Sequence, residues 1–452
     1  MSTVAAIGTP HGKGGVSMIR ITGENSHAVV SAVFAPANKK RFEKKLTGVT
    51  YYGRFFDKDS FFDDGIAVLY GEGHSYTGEQ SAELYCHGGL LVTQRLLEAV
   101  FDAGAEPAGR GEFTKRAFIN GKITLTKAEA VGGIIDAVSP KYLEVSANQA
   151  SGSLSKKISE ISKELVGIAA SVYAYIDYPD EDMTDMTVEE MKQKLEKAES
   201  SLSSLIKTRN YGKAISDGIN VSIVGKPNTG KSSLLNLLCR EDRAIVTDIA
   251  GTTRDVITEK VSLDDMILNL SDTAGIREGG DGIEKIGMER SLRSLSDAEL
   301  VLAVFDASKP MDKDDEAIVK SIKESGREDV TVCIMNKQDI SECQFESPFC
   351  RYVEMSARTG EGLDRLTEEI KKLAGAFEID KDSEIITNAR QFYALSKAHD
   401  AVKDALSSLE GFTQDIAGMD IERAIEALDE ADGRRVTEEI VNEIFSHFCV
   451  GK

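Results

Sequence analysis

The residues with the most to say about chemistry are Gly225-Lys226-Pro227-Asn228-Thr229-Gly230-Lys231-Ser232, which fit the pattern G-x-x-x-x-G-K-[ST]. A loop of this kind holds a triphosphate. Its glycines let backbone N–H groups turn toward phosphate oxygens, and the helix that follows adds positive potential at its N-terminus. Lys231 is expected on the β- and γ-phosphates and Ser232 on a Mg²⁺ ion, with Asn228, Thr229, Gly230 and Ser233 lining the same loop. Four further stretches follow in order. Thr247-Asp248-Ile249-Ala250-Gly251-Thr252-Thr253 offers threonine hydroxyls that can complete a Mg²⁺ shell when a γ-phosphate is present. Asp272-Thr273-Ala274-Gly275 offers a carboxylate to that shell through water and the Gly275 N–H to the γ-phosphate. In Asn336-Lys337-Gln338-Asp339, a carboxylate can accept the N1–H and 2-amino hydrogens of guanine, which adenine does not present. Ser356-Ala357-Arg358 can support guanine O6 from its backbone. The implied reaction is phosphoryl transfer from GTP to water.

These stretches need rigid elements to hold them. The apolar run 219–224 reads as a buried strand and 233–238 as the helix after the loop, which is the context the motif requires. Strand-like runs at 266–270, 330–335 and 352–355 precede the last three motifs. A doubly wound sheet with its ligand at the carboxyl ends of the strands follows. Ile276 stands where a Ras-like enzyme has a water-orienting glutamine, so another group must act on water. Glu284, after a loop containing Gly279, Gly280 and Gly282, is a candidate acid or base, and a solvated helix-start glutamate is the alternative.

Upstream, residues 1–120 read as a small α/β domain with strands near 4–7, 17–21, 61–69 and 82–86 and a helix over 91–101. The run Gly8 to Gly15 is rich in glycine but fits neither phosphate-loop fingerprint, and a tight loop is the plain reading. Cys86 and His87, adjacent on a strand, face opposite sides and cannot easily share a metal, so packing at the strand end is the plain reading. Arg110, Lys115 and Arg116 beside Phe113 and Phe118 leave two readings open: an exposed site for an anionic or aromatic ligand, or a solvated helix start. From 125 to 208, and again from 385 to 448, the pattern is helical and charged. Helices on both sides of an α/β unit suggest a helical domain in two segments with the nucleotide domain inserted: 1–120, 121–216, 217–376 and 377–452.

The chain has 452 residues, a net charge of −21, and six cysteines. Over residues 1–120 there are 13 basic and 13 acidic side chains, so the acidic excess lies downstream. An acidic chain is a poor non-specific nucleic-acid binder, so any RNA contact needs a partner or a local patch. No C-x-x-C pair occurs, and no apolar run reaches the length of a membrane span. A cytoplasmic protein with reduced thiols is expected.

The marks that reach beyond the nucleotide motifs are Gly12-Lys13-Gly14-Gly15-Val16 with Arg20, Gly111-Glu112-Phe113-Thr114-Lys115-Arg116-Ala117-Phe118, Lys127-Ala128-Glu129-Ala130-Val131, and Cys449-Val450-Gly451-Lys452. On these marks the whole chain resembles the MnmE (TrmE) family of bacterial tRNA-modification GTPases. The resemblance implies an N-terminal domain that binds 5-formyl-tetrahydrofolate and forms a homodimer, a discontinuous helical domain, and an inserted GTPase domain. It implies a flavoprotein partner, MnmG, in a heterotetramer. Together the two would place an aminomethyl or carboxymethylaminomethyl group on C5 of the wobble uridine of certain tRNAs, with a tetrahydrofolate one-carbon unit. By the same resemblance Arg20, Glu83, Lys122 and Lys452 bind the folate. Asn228, Thr247, Ile249 and Thr252 hold K⁺, and Ser232 and Thr253 hold Mg²⁺. Glu284 is the catalytic glutamate, and Cys449 is required for modification, against the plain reading of an exposed thiol. A ribosome-assembly GTPase of the Era-like group is the alternative, and the acidic C-terminal helices speak against its basic RNA-binding module.

Overall fold

The computed structural model describes residues 2–177, 186–241, 259–270, 295, 298–375, 384–410 and 414–452. They form two compact units, Met1–Gly132 with Asp432–Lys452, and Gly133–Ala431.

The first unit is built on a seven-stranded sheet. Its strands are β1 (Val4–Ile7), β2 (Val16–Thr22), β3 (Phe34–Pro36), β4 (Val49–Asp57), β5 (Ser60–Tyr70), β6 (Ser81–His87) and β7 (Glu106–Pro107), in the order β3-β4-β5-β6-β2-β1-β7. All neighbours are antiparallel except β1 and β7. Helices Ser26–Val33 and Leu90–Asp102 cover one face, and Ile19, Ile21, Ala82, Leu84, Val30, Leu96 and Val100 fill the layer between. A fully buried aliphatic side chain of this kind contributes about 1.5–3 kcal/mol. The two-residue period of a strand then leaves Arg20, Glu83 and Tyr85 on the opposite face. Arg20 and Glu83 are direct cross-strand partners between β2 and β6.

Residues 432–452 join this unit because their apolar side chains find cover there. Helix Glu438–Ser446 packs on helix Glu112–Ile119, and Leu125, Ala128, Val441 and Phe445 share one buried cluster. Gly111, at φ 62°, lets Phe445 and Phe448 approach, since a Cβ there would stand 2.9 Å from Phe445 O.

In the second unit a six-stranded sheet runs β13-β12-β11-β8-β10-β9. Here β8 is Ile219–Val224, β9 Glu259–Leu263, β10 Met266–Leu270, β11 Leu300–Asp306, β12 Thr331–Asn336 and β13 Tyr352–Glu354. Every pairing is parallel except β9 with β10. The central strand β11 is buried along its whole length, as a parallel strand covered on both faces should be.

The helical part is held by Ser153–Asp177, Val188–Lys207, Ala389–Glu410 and Gln414–Asp432. Ala394, Ala398, Ala401 and Ala405 form a stripe of small residues at helical spacing, and Leu195, Leu202, Ile421 and Leu428 are buried in the same cluster. Gln149 donates to Ile385 O at 2.7 Å, and Ile386 N donates to Thr208 Oγ1 at 2.9 Å. The two chain segments that flank residues 209–384 therefore run side by side.

Candidate functional site

The loop after β8 is shaped by three residues with positive φ: Gly225 at 156°, Asn228 at 64° and Gly230 at 104°. A side chain on Gly225 would press on Val304 O, and one on Gly230 would press on Asn336 Nδ2. Both glycines are required by space as well as by conformation. Helix Lys231–Glu241 follows, with Ser232 and Ser233 in its first turn. Lys231 Nζ donates to Gly225 O and Lys226 O, each at 2.8 Å, so the loop wraps the ammonium. Burial pushes the Lys231 pKa down.

Asn336 is the keystone of the cradle. It is 3% exposed, donates from Nδ2 to Thr229 O at 2.7 Å, and accepts at Oδ1 from Ala357 N at 2.9 Å. One side chain thus ties the phosphate loop to the 356–358 loop. Ser356 Oγ donates to Asp339 Oδ1 at 2.7 Å, which orients the carboxylate expected to read guanine. Lys337, at φ 74°, pairs with Asp306 Oδ2 at 2.7 Å at the end of β11. Burial alone would raise the Asp306 pKa, but bonds from Lys337 and Ser308 hold the carboxyl below its ordinary value. Arg358 is exposed. Lys226 bonds Asp312 and Asp315 at 2.6 Å each, and so anchors the near end of the loop to helix Lys313–Glu324. Thr247, Asp248, Ile249, Ala250, Gly251, Thr252, Thr253, Asp272, Thr273, Ala274, Gly275, Ile276 and Glu284 lie outside the described residues.

A second group gathers on the uncovered face of the first sheet. Arg20 Nε donates to Glu83 Oε1 at 3.1 Å, and its Nη1 donates to Gly451 O at 3.4 Å. The guanidinium lies 5.6 Å from the Phe113 ring centre and 5.9 Å from that of Tyr76. Burial and then Arg20 lower the Lys452 pKa, and Cys449 opposes them. Cys449 is an exposed thiol. Lys122 bonds elsewhere, donating from Nζ to Gly73 O at 2.9 Å, where it braces the loop that carries Tyr76. Sequence reasoning missed Tyr70, Tyr76 and Tyr85, which all reach this group. The i, i+2 spacing of Glu83 and Tyr85 was the available signal.

One expectation ends differently, and a second holds in part. Arg116 is not an exposed basic residue. It is 3% exposed and bonds Glu79, Glu112 and Ser2 O, while Phe113 beside it is fully buried. The 111–118 motif therefore builds structure at this position, because a buried guanidinium needs several acceptors. His87 projects to the surface while Cys86 is buried, and it pairs with Asp63 at 2.7 Å. That bond and the Asp63 charge raise the His87 pKa.

A strand, a glycine-cornered loop, a helix and an asparagine–aspartate reader at the end of a parallel strand define a P-loop protein of the guanine-nucleotide class. Residues 3–122 match the family described as "GTP-binding protein TrmE N-terminus", and residues 125–449 match "MnmE helical domain". The chain is 38% identical over 458 residues to a protein of Clostridioides difficile (strain 630) named tRNA modification GTPase MnmE, covering 100% of this chain and 99% of that one. A Thermotoga maritima protein of the same name is 39% identical over 462 residues, covering 100% of both. Among solved structures, an Aquifex aeolicus Era variant bound to GDP·AlF4⁻ is 26% identical, over 40% of this chain and 66% of that one, with a TM-score of 0.26. The chain belongs to the MnmE family.

Proposed function

We propose that this chain is a GTP-hydrolysing enzyme of tRNA wobble-uridine modification. It works with an MnmG-type flavoprotein in a heterotetramer and uses a reduced folate as one-carbon donor. The observation that carries the reading is the coexistence, in one chain, of a guanine-type P-loop cradle and a separate cation–carboxylate face at Arg20 and Glu83. Similarity along the whole chain to proteins named for tRNA modification supports it. The proposed division of labour follows the sequence. Residues 1–120 bind folate and dimerise, 121–216 and 377–452 form the helical domain, and 217–376 turn over GTP. Among the described residues, no helix is long and apolar enough to cross a membrane. We place the enzyme in the cytoplasm.

The donor chemistry fits the groups this activity implies. Ser232, at the start of helix Lys231–Glu241, offers a hydroxyl oxygen, which suits a hard cation such as Mg²⁺, with Thr253 as its partner. Asn228 can give an amide oxygen to K⁺, with Thr247, Ile249 and Thr252 completing the set. When bound, such cations neutralise charge on the phosphates. Lys231 holds the β- and γ-phosphates, and Asp339 selects guanine. Glu284 acts on water, directly or through a second water. A cationic Arg20, with Lys122 and Lys452, suits folate carboxylates, and Glu83 suits pterin N–H donors. Cys449 is a further participant in modification.

The test is GTP hydrolysis by the purified chain in potassium against sodium at equal ionic strength, with Glu284→Ala alongside. Stimulation by potassium is expected, together with lost hydrolysis and retained GTP binding in the variant. In this reading potassium drives two GTPase domains to pair, and equal rates in the two salts would sink that mechanism. Unmodified wobble uridine in tRNA from cells lacking the protein is expected. Fully modified tRNA would overturn the assignment.

A further inference from the structure

The Glu83 carboxylate takes up more donors than its salt bridge with Arg20 requires. Oε1 faces Arg20, with Nε and Nη2 both at 3.1 Å. Oε2 accepts from the Tyr85 hydroxyl at 2.7 Å and from the Tyr70 hydroxyl at 3.3 Å. A carboxylate oxygen offers about two acceptor sites, so Oε2 is filled by the two phenols. The Glu83 side chain is only 16% exposed, which leaves little room for water to share the task. Both tyrosine pKa values are raised, by burial first and then by Glu83, so both rings stay protonated donors.

The two phenols are not equivalent. Tyr85 lies two residues from Glu83 on β6, so one rigid strand sets their spacing, and 2.7 Å is an ordinary O–H···O length. Tyr70 reaches across from β5, and its 3.3 Å bond is long and weak for a hydroxyl donor. A ligand N–H arriving at Oε2 must displace one of them, and the weaker bond yields. We infer that Tyr85 is a positioning residue that fixes the Glu83 carboxylate, and that the Tyr70 hydroxyl is a placeholder displaced by an N–H donor of a pterin-type ring. The inference rests on the reading of Arg20 and Glu83 as a reduced-folate site. It assigns two tyrosines that no motif marks.

The experiment is calorimetric binding of 5-formyl-tetrahydrofolate to the full chain, as wild type and as Glu83→Gln, Tyr85→Phe, Tyr85→Gln and Tyr70→Phe. Loss of one good hydrogen bond to a charged group predicts about ten-fold weaker binding for Tyr85→Phe. Tyr85→Gln restores a donor and is expected within about three-fold of wild type, which separates a lost hydroxyl from a damaged fold. Tyr70→Phe is expected to bind as tightly as wild type or more so. With [¹³Cζ]tyrosine the Tyr70 resonance moves on binding and that of Tyr85 stays, a distinction that a merely structural role would not produce. Wild-type affinity in Tyr85→Phe, equal weakening in Tyr85→Gln, or weakening in Tyr70→Phe would each overturn the inference. Absence of binding by the wild-type chain would instead overturn the folate reading beneath it.

Discussion

Replacing Asn336 tests the cradle at its centre. The side chain is 3% exposed and closes two bonds to backbone, with Thr229 O at 2.7 Å and Ala357 N at 2.9 Å. In Asn336→Ala both partners stay buried and lose their mate. Each buried unsatisfied group costs about 1–3 kcal/mol, so the sum is about 2–6 kcal/mol. A loss near the middle of that range would move a urea midpoint by roughly 1–4 M at ordinary slopes. The cost falls on the two loops that hold phosphate and base, so GTP affinity should fall by at least about ten-fold as well. Asn336→Asp is the sharper variant. It keeps an oxygen for Ala357 N but sets a second oxygen against Thr229 O, and should be at least as damaging as alanine. Urea unfolding of the second unit and GTP titration measure both effects. An aspartate variant that matches wild type in midpoint and affinity would show that the bond to Thr229 carries nothing.

Two further outcomes follow from the geometry. Asp306 has a folded-state pKa depressed below its ordinary 3.8, so its pair with Lys337 contributes stability above that value and loses it as pH falls through the lower, folded one. The stability deficit of Lys337→Met, measured by denaturation, should therefore be steady from pH 7 to about 5 and close at lower pH; a deficit that grows on acidification would contradict the pairing. Gly451 has φ 96°, and a Cβ there would press on Ile7 O, so Gly451→Ala should unseat the tail. The amides of Gly111 and Phe113, which donate to Cys449 O and Lys452 O, should then exchange with solvent faster, and unchanged exchange would refute this.

What was legible in the sequence was whatever the backbone dictates locally. Gly225 and Gly230 announce positive φ by their identity, and the apolar runs before them and before Asn336 announce buried parallel strands. The face around Glu83 was harder to read. Arg20 and Tyr70 meet the Glu83 carboxylate only because β2, β6 and β5 pair in one register, and register is a property of three separated segments. Arg116 shows the opposite failure. Its neighbours in sequence are charged and suggest exposure, yet Glu79, some forty residues away, supplies the acceptor that lets it be buried. The tail's docking on Gly111 is likewise invisible in local pattern, since it depends on Phe445 and Phe448 finding space left by glycines more than three hundred positions earlier.

The side-by-side passage of the segments near Thr208 and Ile386 sets an order of events during synthesis. Helices Ser153–Asp177 and Val188–Lys207 emerge from the ribosome long before Ala389–Glu410, whose alanine stripe completes their core. At 5–20 residues per second, the roughly 180 intervening residues take on the order of 10–40 s to make. Through that interval the first two helices can cover only each other, the face that Ala389–Glu410 covers stays open, and the intervening α/β unit can finish folding first. Its finished sheet then presents residues 208–218 and 384–388 close together, which shortens the effective loop that the helical core must close. A variant that slows folding of that unit should prolong exposure of the helical stripes and raise chaperone dependence or aggregation, even where the finished enzyme is as stable as before.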